Sequence, residues 1–286
     1  PKPPKPPSLQ SPHAPMLPPT RLSLLFVLLL GAAALPEVHA QIAVRSALVD
    51  DRTVEPGTVY RGTVTLENLT DRPQEAKVTQ RDYRFSADGA NHFDRPGSHP
   101  RSNSRWIDVR PRVATLPPGG RAEVTYEVRV PADDSLAGSY WSLLLVEPIL
   151  PGSAESTLPG TGRQHAFGVR EVTRFGVQVA THIGRPADPG VAVANASLVG
   201  DAESVLAVDL SNTGSHMTQP TLRLEVYDAD GNVAKQEATS PSRLYPSTSV
   251  RHRLSLEDLP AGTYEALVIV DTDGSRAVGA QYTLVL

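Results

Sequence analysis

The sequence predicts an all-β protein, with two sandwich domains that follow a signal peptide. Three observations support this prediction. Downstream of Gln41, no stretch of twelve residues has the apolar spacing of a helix, short runs of alternating apolar and polar residues recur, and turn residues separate the runs. The chain has 286 residues, of which 40% are hydrophobic, and this is enough apolar content for a core.

Composition excludes several classes of function. The chain has no cysteine, so a disulfide framework, a thiolate metal site and a cysteine nucleophile are impossible. The formal net charge of -4 shows no excess of basic residues, such as a protein that binds nucleic acid or an anionic membrane surface would have. We therefore expect a soluble, folded protein that has no nucleic-acid partner.

The first 40 residues have the pattern of a proline-rich extension and a signal peptide. Met16 is the first methionine and an alternative start, and Arg21 precedes the apolar residues 22–35. This apolar run is shorter than the roughly 20 residues that span a bilayer, and Val38-His39-Ala40 fits a cleavage site. We expect cleavage after Ala40, export to the periplasm and no stable membrane insertion. A short N-terminal anchor and a cell-surface location are the alternatives.

Seven strand-like runs predict a first domain over residues 41–183. In the clearest run, residues 121–130, Val124, Tyr126 and Val128 share one face while charged residues share the other. The remaining runs are residues 42–48, 59–69, 75–85, 106–109, 139–146 and 174–183. Seven short strands in a segment of this length are typical of an immunoglobulin-like sandwich.

A second immunoglobulin-like β-sandwich is predicted over residues 191–286. Residues 184–190 contain two prolines and two glycines, which cannot continue a central strand and therefore indicate a linker. Seven runs follow, at residues 191–198, 205–210, 221–227, 232–238, 250–256, 264–270 and 277–286. Asp230-Gly231 and Asp273-Gly274 predict tight hairpin turns. The two halves share no alignable repeat.

Motif searches find no catalytic constellation. The histidines lack metal-binding spacing, no Gly-x-Ser-x-Gly is present, and no glycine-rich phosphate loop precedes a helix. We predict that the protein is not an enzyme and has no catalytic residue, no metal and no cofactor. The sequence leaves open whether the chain has the paired carboxylates of a glycoside hydrolase, because residues that are distant in sequence form such a pair only in the folded structure.

Some short motifs have ordinary interpretations. Residues 228–232 (Asp-Ala-Asp-Gly-Asn) fit a hairpin turn better than a calcium loop, since the distal glutamate is absent. Asn68-Leu-Thr70 and Asn195-Ala-Ser197 are glycosylation sequons, a pattern that is frequent by chance. Gly214-Ser-His-Met217 looks like a cloning scar, but its place inside the second domain favours coincidence.

Residues 106–148 contain several short motifs whose residues suit a particular turn, strand end or bend. A Trp-x-x-Val-x-Pro start leads to Leu-Pro-Pro-Gly at residues 116–119, where two prolines fix the chain before the glycines reverse it. Pro131 ends the alternating strand because proline cannot donate to a ladder, and Gly138 admits a bend before Tyr140. By these motifs, residues 42–183 resemble the first domain of PapD-like periplasmic pilus chaperones and related bacterial immunoglobulin-like envelope proteins.

The resemblance implies a partner-binding strand. Such chaperones have a long loop before the last strand of their first domain, and that strand is lent to the open sheet of a pilin subunit. Residues 148–162 are loop-like here. The residues of one parity after this loop form the implied donor edge: Phe167, Val169, Phe175, Val177 and Val179. The alternative is an ordinary last core strand.

Two further features of the predicted site concern a basic pair known in the family and the exposure of Trp141. The family anchors its client with a basic pair in the cleft between domains; both members cannot be matched here, and Arg174 or Arg185 is a positional guess for one of them. Tyr140 and Trp141 are adjacent and therefore point to opposite faces of a strand. An exposed Trp141 would be part of a contact surface, and burial against residues 148–162 is the alternative.

We predict an exported, non-enzymatic protein-binding protein. It would act as a chaperone or assembly factor for cell-surface structures, through a β-strand edge or the interdomain cleft, with a pilin-like or surface subunit as its partner. A structural or adhesive envelope module that binds a polymer or a wall protein is the alternative. An accessory β-domain protein with a weak hydrolase site is the third hypothesis.

Overall fold

The computed structural model describes residues 41–159, 172–185, 190–200, 205–272 and 276–286. In these ranges the chain is all-β apart from one turn of 3-10 helix at Ser104–Trp106, which confirms the predicted fold class. The predicted extension and signal peptide, residues 1–40, lie outside the described residues. Across the described ranges, no helix is long and apolar enough to cross a membrane.

The first sandwich contains ten strands in two sheets. They are β1 (Ile42–Val44), β2 (Val49–Val54), β3 (Val59–Asn68), β4 (Gln74–Phe85), β5 (Asn91–Asp94), β6 (Ile107–Arg110), β7 (Val113–Leu116), β8 (Arg121–Arg129), β9 (Gly138–Ile149) and β10 (Phe175–Ile183). One sheet has the strand order β1-β3-β8-β6, and the other has the order β2-β10-β9-β4-β5 with β7 also paired to β4.

The alternating pattern of β8 explains how its sheet covers the core. Val124, Tyr126 and Val128 are buried, whereas Thr125 and Arg129 are exposed, as the sequence predicted. Side chains of both sheets meet in one hydrophobic cluster between them. Full burial of an aliphatic side chain contributes about 1.5–3 kcal/mol, so this cluster accounts for the layered arrangement.

The first predicted strand, residues 42–48, differs from the structure. Only its first three residues form a strand, β1, which pairs antiparallel with β3, and the next strand, β2, begins after the run and pairs parallel with β10 in the opposite sheet. The chain therefore crosses between the sheets at residues 45–48. Local alternation does not reveal such a crossing, because each part keeps the same period of two.

The second sandwich contains seven strands. They are β11 (Val191–Val199), β12 (Val205–Asn212), β13 (Thr221–Tyr227), β14 (Val233–Ala238), β15 (Ser249–Ser255), β16 (Thr263–Thr272) and β17 (Arg276–Val285). The sheets have the orders β11-β12-β15 and β14-β13-β16-β17, and a second hydrophobic cluster fills the space between them. The boundary predicted at residues 184–190 stays a prediction, since residues 186–189 lie outside the described ranges.

The hairpin interpretation of residues 228–232 agrees with the structure. One carboxylate oxygen of Asp228 accepts hydrogen bonds from the amides of Asp230 and Asn232 at 3.0 and 2.8 Å. Gly231 takes a positive φ of 80°, which the turn requires. Gly274 of the other predicted hairpin lies outside the described residues.

Candidate functional site

The start of β10 has a free strand edge. Along its whole length β10 pairs antiparallel with β9, but its parallel ladder with β2 begins only at Gln178. The amide of Gln178 donates to the carbonyl of Leu48 at 2.8 Å, which closes that side of the strand from this point onward. Among the described residues, 175–177 are therefore paired on one side only, and no described strand pairs with their other side.

A groove of about 710 Å³, lined by both apolar and charged side chains, lies beside this edge on the outer face of the sheet. Leu143, Leu145 and Gly176 contribute to its lining, and Phe93 and Leu48 keep 52% and 47% of their surfaces exposed. Tyr83 stacks on Phe93 with the ring centroids 5.2 Å apart. Exposed aromatic and aliphatic surface in one concave place is typical of a binding surface.

Gly176 leaves the backbone of β10 bare in this groove. A Cβ built at this position would lie 3.5 Å from Cδ1 of Leu143 and 3.8 Å from Cδ2 of Leu145, both ordinary contact distances. The space is therefore not required for folding. A side chain of a partner has access to the floor of the groove here.

Basic side chains outnumber acidic ones along the groove. Arg174 forms an ion pair with Glu147 at 2.7 Å, and Lys77 lies 3.9 Å from the same carboxylate and 2.9 Å from Glu155. Arg81 also lines the groove, and in the described part of the chain no carboxylate pairs with it. The groove therefore offers positive charge to a partner.

The predicted donor residues divide into three groups in the structure. Arg174 lines the groove. The side chains of Val177 and Val179 are buried in the core of the first sandwich, and that of Phe175 packs partly against it. They face away from the groove because alternate residues of a strand point to opposite faces. Phe167 and Val169 lie outside the described residues.

The two guessed members of a basic cleft pair do not come together. Arg174 precedes the first residue of β10 and Arg185 follows its last residue, so the length of the strand, roughly 30 Å, separates them. A strand holds its two ends apart by its rise per residue.

Trp141 is not an accessible contact residue, which corrects that expectation. Its side chain is 2% exposed and stacks on Tyr245 of the second sandwich with the centroids 4.6 Å apart. Its Nε1 donates to the carbonyl of Tyr83 at 2.7 Å. Tyr245 of the second sandwich covers this face of β9.

The motif Gly214-Ser-His-Met217 belongs to the junction between the two sandwiches. The amide of Ser139 donates to the carbonyl of Ser215 at 2.8 Å, and the amide of Met217 donates to Oγ of Ser139 at 2.6 Å. Nε2 of His216 lies 3.1 Å from the carbonyl oxygen of Ile183. These contacts explain the motif as part of the fold.

Ser139, His182 and Asp51 form a line that resembles a hydrolase triad. Ser139 Oγ lies 2.8 Å from His182 Nδ1, and His182 Nε2 lies 3.5 Å from Asp51 Oδ1. Ser139 is 0% exposed, and its oxygen already accepts the amide of Met217. A nucleophile must reach the substrate, so this line has a structural role.

Glu75 fixes the loop that follows β9, a role that the sequence did not indicate. Its buried carboxylate accepts hydrogen bonds from Ser156 Oγ at 2.6 Å and from the amide of Thr157 at 3.0 Å. Burial by itself raises the pKa of Glu75, but these hydrogen bonds outweigh burial and the pKa is lowered. The loop is thus held against the sheet before the chain returns to β10.

Metal-ligating side chains do not gather in the described ranges. No group there contains three or more His, Cys, Asp or Glu residues that could hold an ion.

Several solved structures are similar to this chain. A chain from a chaperone–tip adhesin complex of CFA/I fimbriae biogenesis is 10% identical, covers 85% of this chain and 98% of its own length, and has a TM-score of 0.46. The class 5 fimbriae chaperone CfaA is 9% identical, with coverages of 86% and 99% and a TM-score of 0.43. The E. coli chaperone DraB is 16% identical, with coverages of 86% and 98% and a TM-score of 0.37.

These are similarities of fold between distant chains. No protein-family model matches the sequence, and no curated protein matches it.

Proposed function

We propose that this chain is a non-enzymatic periplasmic protein that binds a pilin-like or other surface subunit, as a chaperone or assembly factor. One observation carries the proposal: residues 175–177 of β10 have an edge that no described strand pairs with, directly beside a groove lined by apolar and basic side chains. Strand addition provides affinity through main-chain hydrogen bonds, and pockets for alternate side chains provide specificity.

The geometry defines how the partner would lie. An extended segment added next to residues 174–177 would place every second side chain over the groove, against Leu143, Leu145 and the bare backbone of Gly176. Arg174 and Phe175 belong to the proposed contact by their position, while Val177 and Val179 hold the strand in the core. The proposal extends upstream to Phe167 and Val169, outside the described residues.

The charges at the groove favour one kind of segment. Arg81 and Arg174 lie next to apolar side chains, so a segment that combines large apolar residues with a carboxylate fits this surface best. The carboxylate would compete with Glu147 for Arg174, whereas Arg81, which donates to the carbonyl of Gln80, has no competing carboxylate in the described part of the chain.

A matched pair of substitutions tests the proposal. Gly176→Glu places a charged side chain in the groove, and Gly279→Glu places the same side chain on exposed β17, where a Cβ also has room. Each variant is co-expressed with a pilin-like subunit in a bacterial periplasm, and the co-purified complex is quantified. We expect Gly176→Glu to reduce capture at least 10-fold and Gly279→Glu to leave it unchanged.

Two results would contradict this function. One is equal capture by both variants when circular dichroism shows that both are folded. The other is that the unmodified protein binds a cell-envelope polymer and no subunit, which is the behaviour of an adhesive module.

A further inference from the structure

Ionisable and polar groups gather where the two sandwiches meet. Asp51 of β2 forms an ion pair with Arg243, which lies between β14 and β15, and it also faces His182 of β10. His182 contacts Ser139 of β9 on its other side. Each sandwich therefore supplies one partner of the ion pair, and His182 stands between that pair and Ser139.

Hydrogen-bond accounting assigns the protons of His182. Ser139 Oγ accepts the amide of Met217, and its own hydroxyl proton needs an acceptor because the side chain is fully buried. Among the described residues, the acceptor for this proton is Nδ1 of His182, which lies 2.8 Å from Ser139 Oγ. Nδ1 is then unprotonated, and the ring proton sits on Nε2, which lies 3.5 Å from Asp51 Oδ1 and makes no hydrogen bond within the described residues.

A second proton on His182 would disturb these contacts. Protonated Nδ1 can only donate, so the hydroxyl of Ser139 would lose its acceptor while Ser139 Oγ still receives the amide of Met217. The new charge would face Arg243 and His216, and Arg243 already compensates the carboxylate of Asp51. Burial lowers the pKa of His182, and Asp51 offsets this only in part.

We infer that this cluster is a pH-sensitive joint, in which neutral His182 holds the two sandwiches together and its protonation loosens their contact. The joint favours the closed arrangement at neutral pH, because the closed state binds fewer protons than the open one. Acidification below the ordinary pKa of histidine, 6.5, shifts the balance toward the open arrangement. The inference does not depend on the identity of any bound partner.

Trp141 provides a direct readout of the joint, since it stacks on Tyr245 across the same junction. The chain has two tryptophans, so a Trp106→Phe background leaves Trp141 as the only emitter. His99 lies 5.2 Å from Trp141 and has a pKa lowered mainly by burial, so its own protonation could also quench the ring. The experiment must separate these two histidines.

The test is a pH titration of Trp141 emission in the full mature chain, with His182→Asn and His99→Gln as the paired variants. The amide oxygen of the asparagine takes the place of Nδ1 as acceptor for Ser139, but it does not titrate in this range. We expect a red shift with a midpoint below pH 6.5, absent in His182→Asn and retained in His99→Gln. Far-UV circular dichroism should stay constant through the transition.

Hydrogen exchange checks the same transition without any substitution. Protection of the Met217 amide should fall at least 10-fold through the transition, while that of Val124 in the first core stays high. Three results would overturn the inference: a transition lost in His99→Gln and kept in His182→Asn, simultaneous loss of the circular dichroism signal, or constant Met217 protection down to pH 4.

Discussion

Asn68 and Asn212 make the same hydrogen bonds at the same place in the two sandwiches. Each is the buried last residue of a strand, β3 or β12. The Oδ1 atoms accept the amide two residues later, that of Thr70 at 2.9 Å and that of Gly214 at 2.8 Å. The Nδ2 atoms donate to the carbonyl four residues later, that of Arg72 at 2.7 Å and that of His216 at 2.8 Å. Each amide also reaches a distant carbonyl, that of Leu116 or Leu244.

We therefore expect Asn68→Ala and Asn212→Ala each to lower the free energy of unfolding by about 2–3 kcal/mol, because each leaves buried carbonyls without a donor. Urea denaturation measures the loss. Asn232→Ala in an exposed turn is the control, with an expected change within about 0.5 kcal/mol. A loss at Asn68 or Asn212 no larger than that of the control would show that water replaces the amide.

Substitutions of Gly138 and Gly89 can distinguish the cost of backbone strain from the cost of steric crowding at the junction between the sandwiches. Both have positive φ, 94° and 87°, but a Cβ on Gly138 would lie 2.2 Å from the carbonyl oxygen of Ser215, whereas nothing lies within 4 Å of a Cβ on Gly89. We expect Gly89→Ala to cost about 1 kcal/mol from strain alone, and Gly138→Ala to cost about 3 kcal/mol. Equal losses in thermal denaturation would mean that the junction adapts to the added methyl group.

We expect Asp82 to make the free energy of unfolding depend on pH in the acidic range. Its buried carboxylate accepts hydrogen bonds from Ser102 Oγ at 2.5 Å and from the amides of Gly97 and His99 at 3.1 and 2.8 Å. Burial raises the pKa of Asp82, but these hydrogen bonds outweigh it, so the pKa lies below its ordinary value of 3.8. The ionised carboxylate therefore stabilises the fold above pH 3.8, and this contribution is lost as pH falls through the lower pKa of the folded state.

We expect Asp82→Asn to lower the free energy of unfolding by about 2–3 kcal/mol at pH 7, since the amide cannot accept all these donors. The difference from the unmodified protein should shrink below pH 3.8. Urea denaturation at pH 7 and pH 3 measures both values, with exposed Asp134→Asn as the control. A difference that does not change between these two pH values would argue against an ionised Asp82.

The stacked rings of Trp141 and Tyr245 should be energetically coupled. Aromatic pairs contribute about 0.5–1.5 kcal/mol beyond the area they bury. We expect a double-mutant cycle with Trp141→Leu and Tyr245→Leu to give a coupling of about 1 kcal/mol in urea denaturation. A parallel cycle with Trp106→Leu, whose ring contacts Tyr140 instead, should give a coupling near zero. The same coupling in both cycles would mean that it does not report on the stacked pair.

The candidate site was only partly predictable. The run Leu143 to Leu145 is apolar on both parities, which indicates a strand with cover on both faces, but not what supplies the cover. Of the residues expected at the contact, Arg174 lines the groove, whereas Phe175, Val177 and Val179 face the core, and the groove itself was not expected. It forms because Leu48 and Phe93 arrive from distant parts of the chain.

The sequence by itself determined that the chain is all-β and which faces of strands such as β8 are buried. Alternation of side chains is local, so solvent and core separate along each strand without knowledge of its neighbours. Only the tertiary structure decided that β2 leaves residues 175–177 of β10 unpaired, and that Trp141 is covered by Tyr245. Those outcomes depend on which remote segment packs beside or above a strand, and an apolar residue looks the same in sequence whether a partner, a second domain or its own sheet covers it.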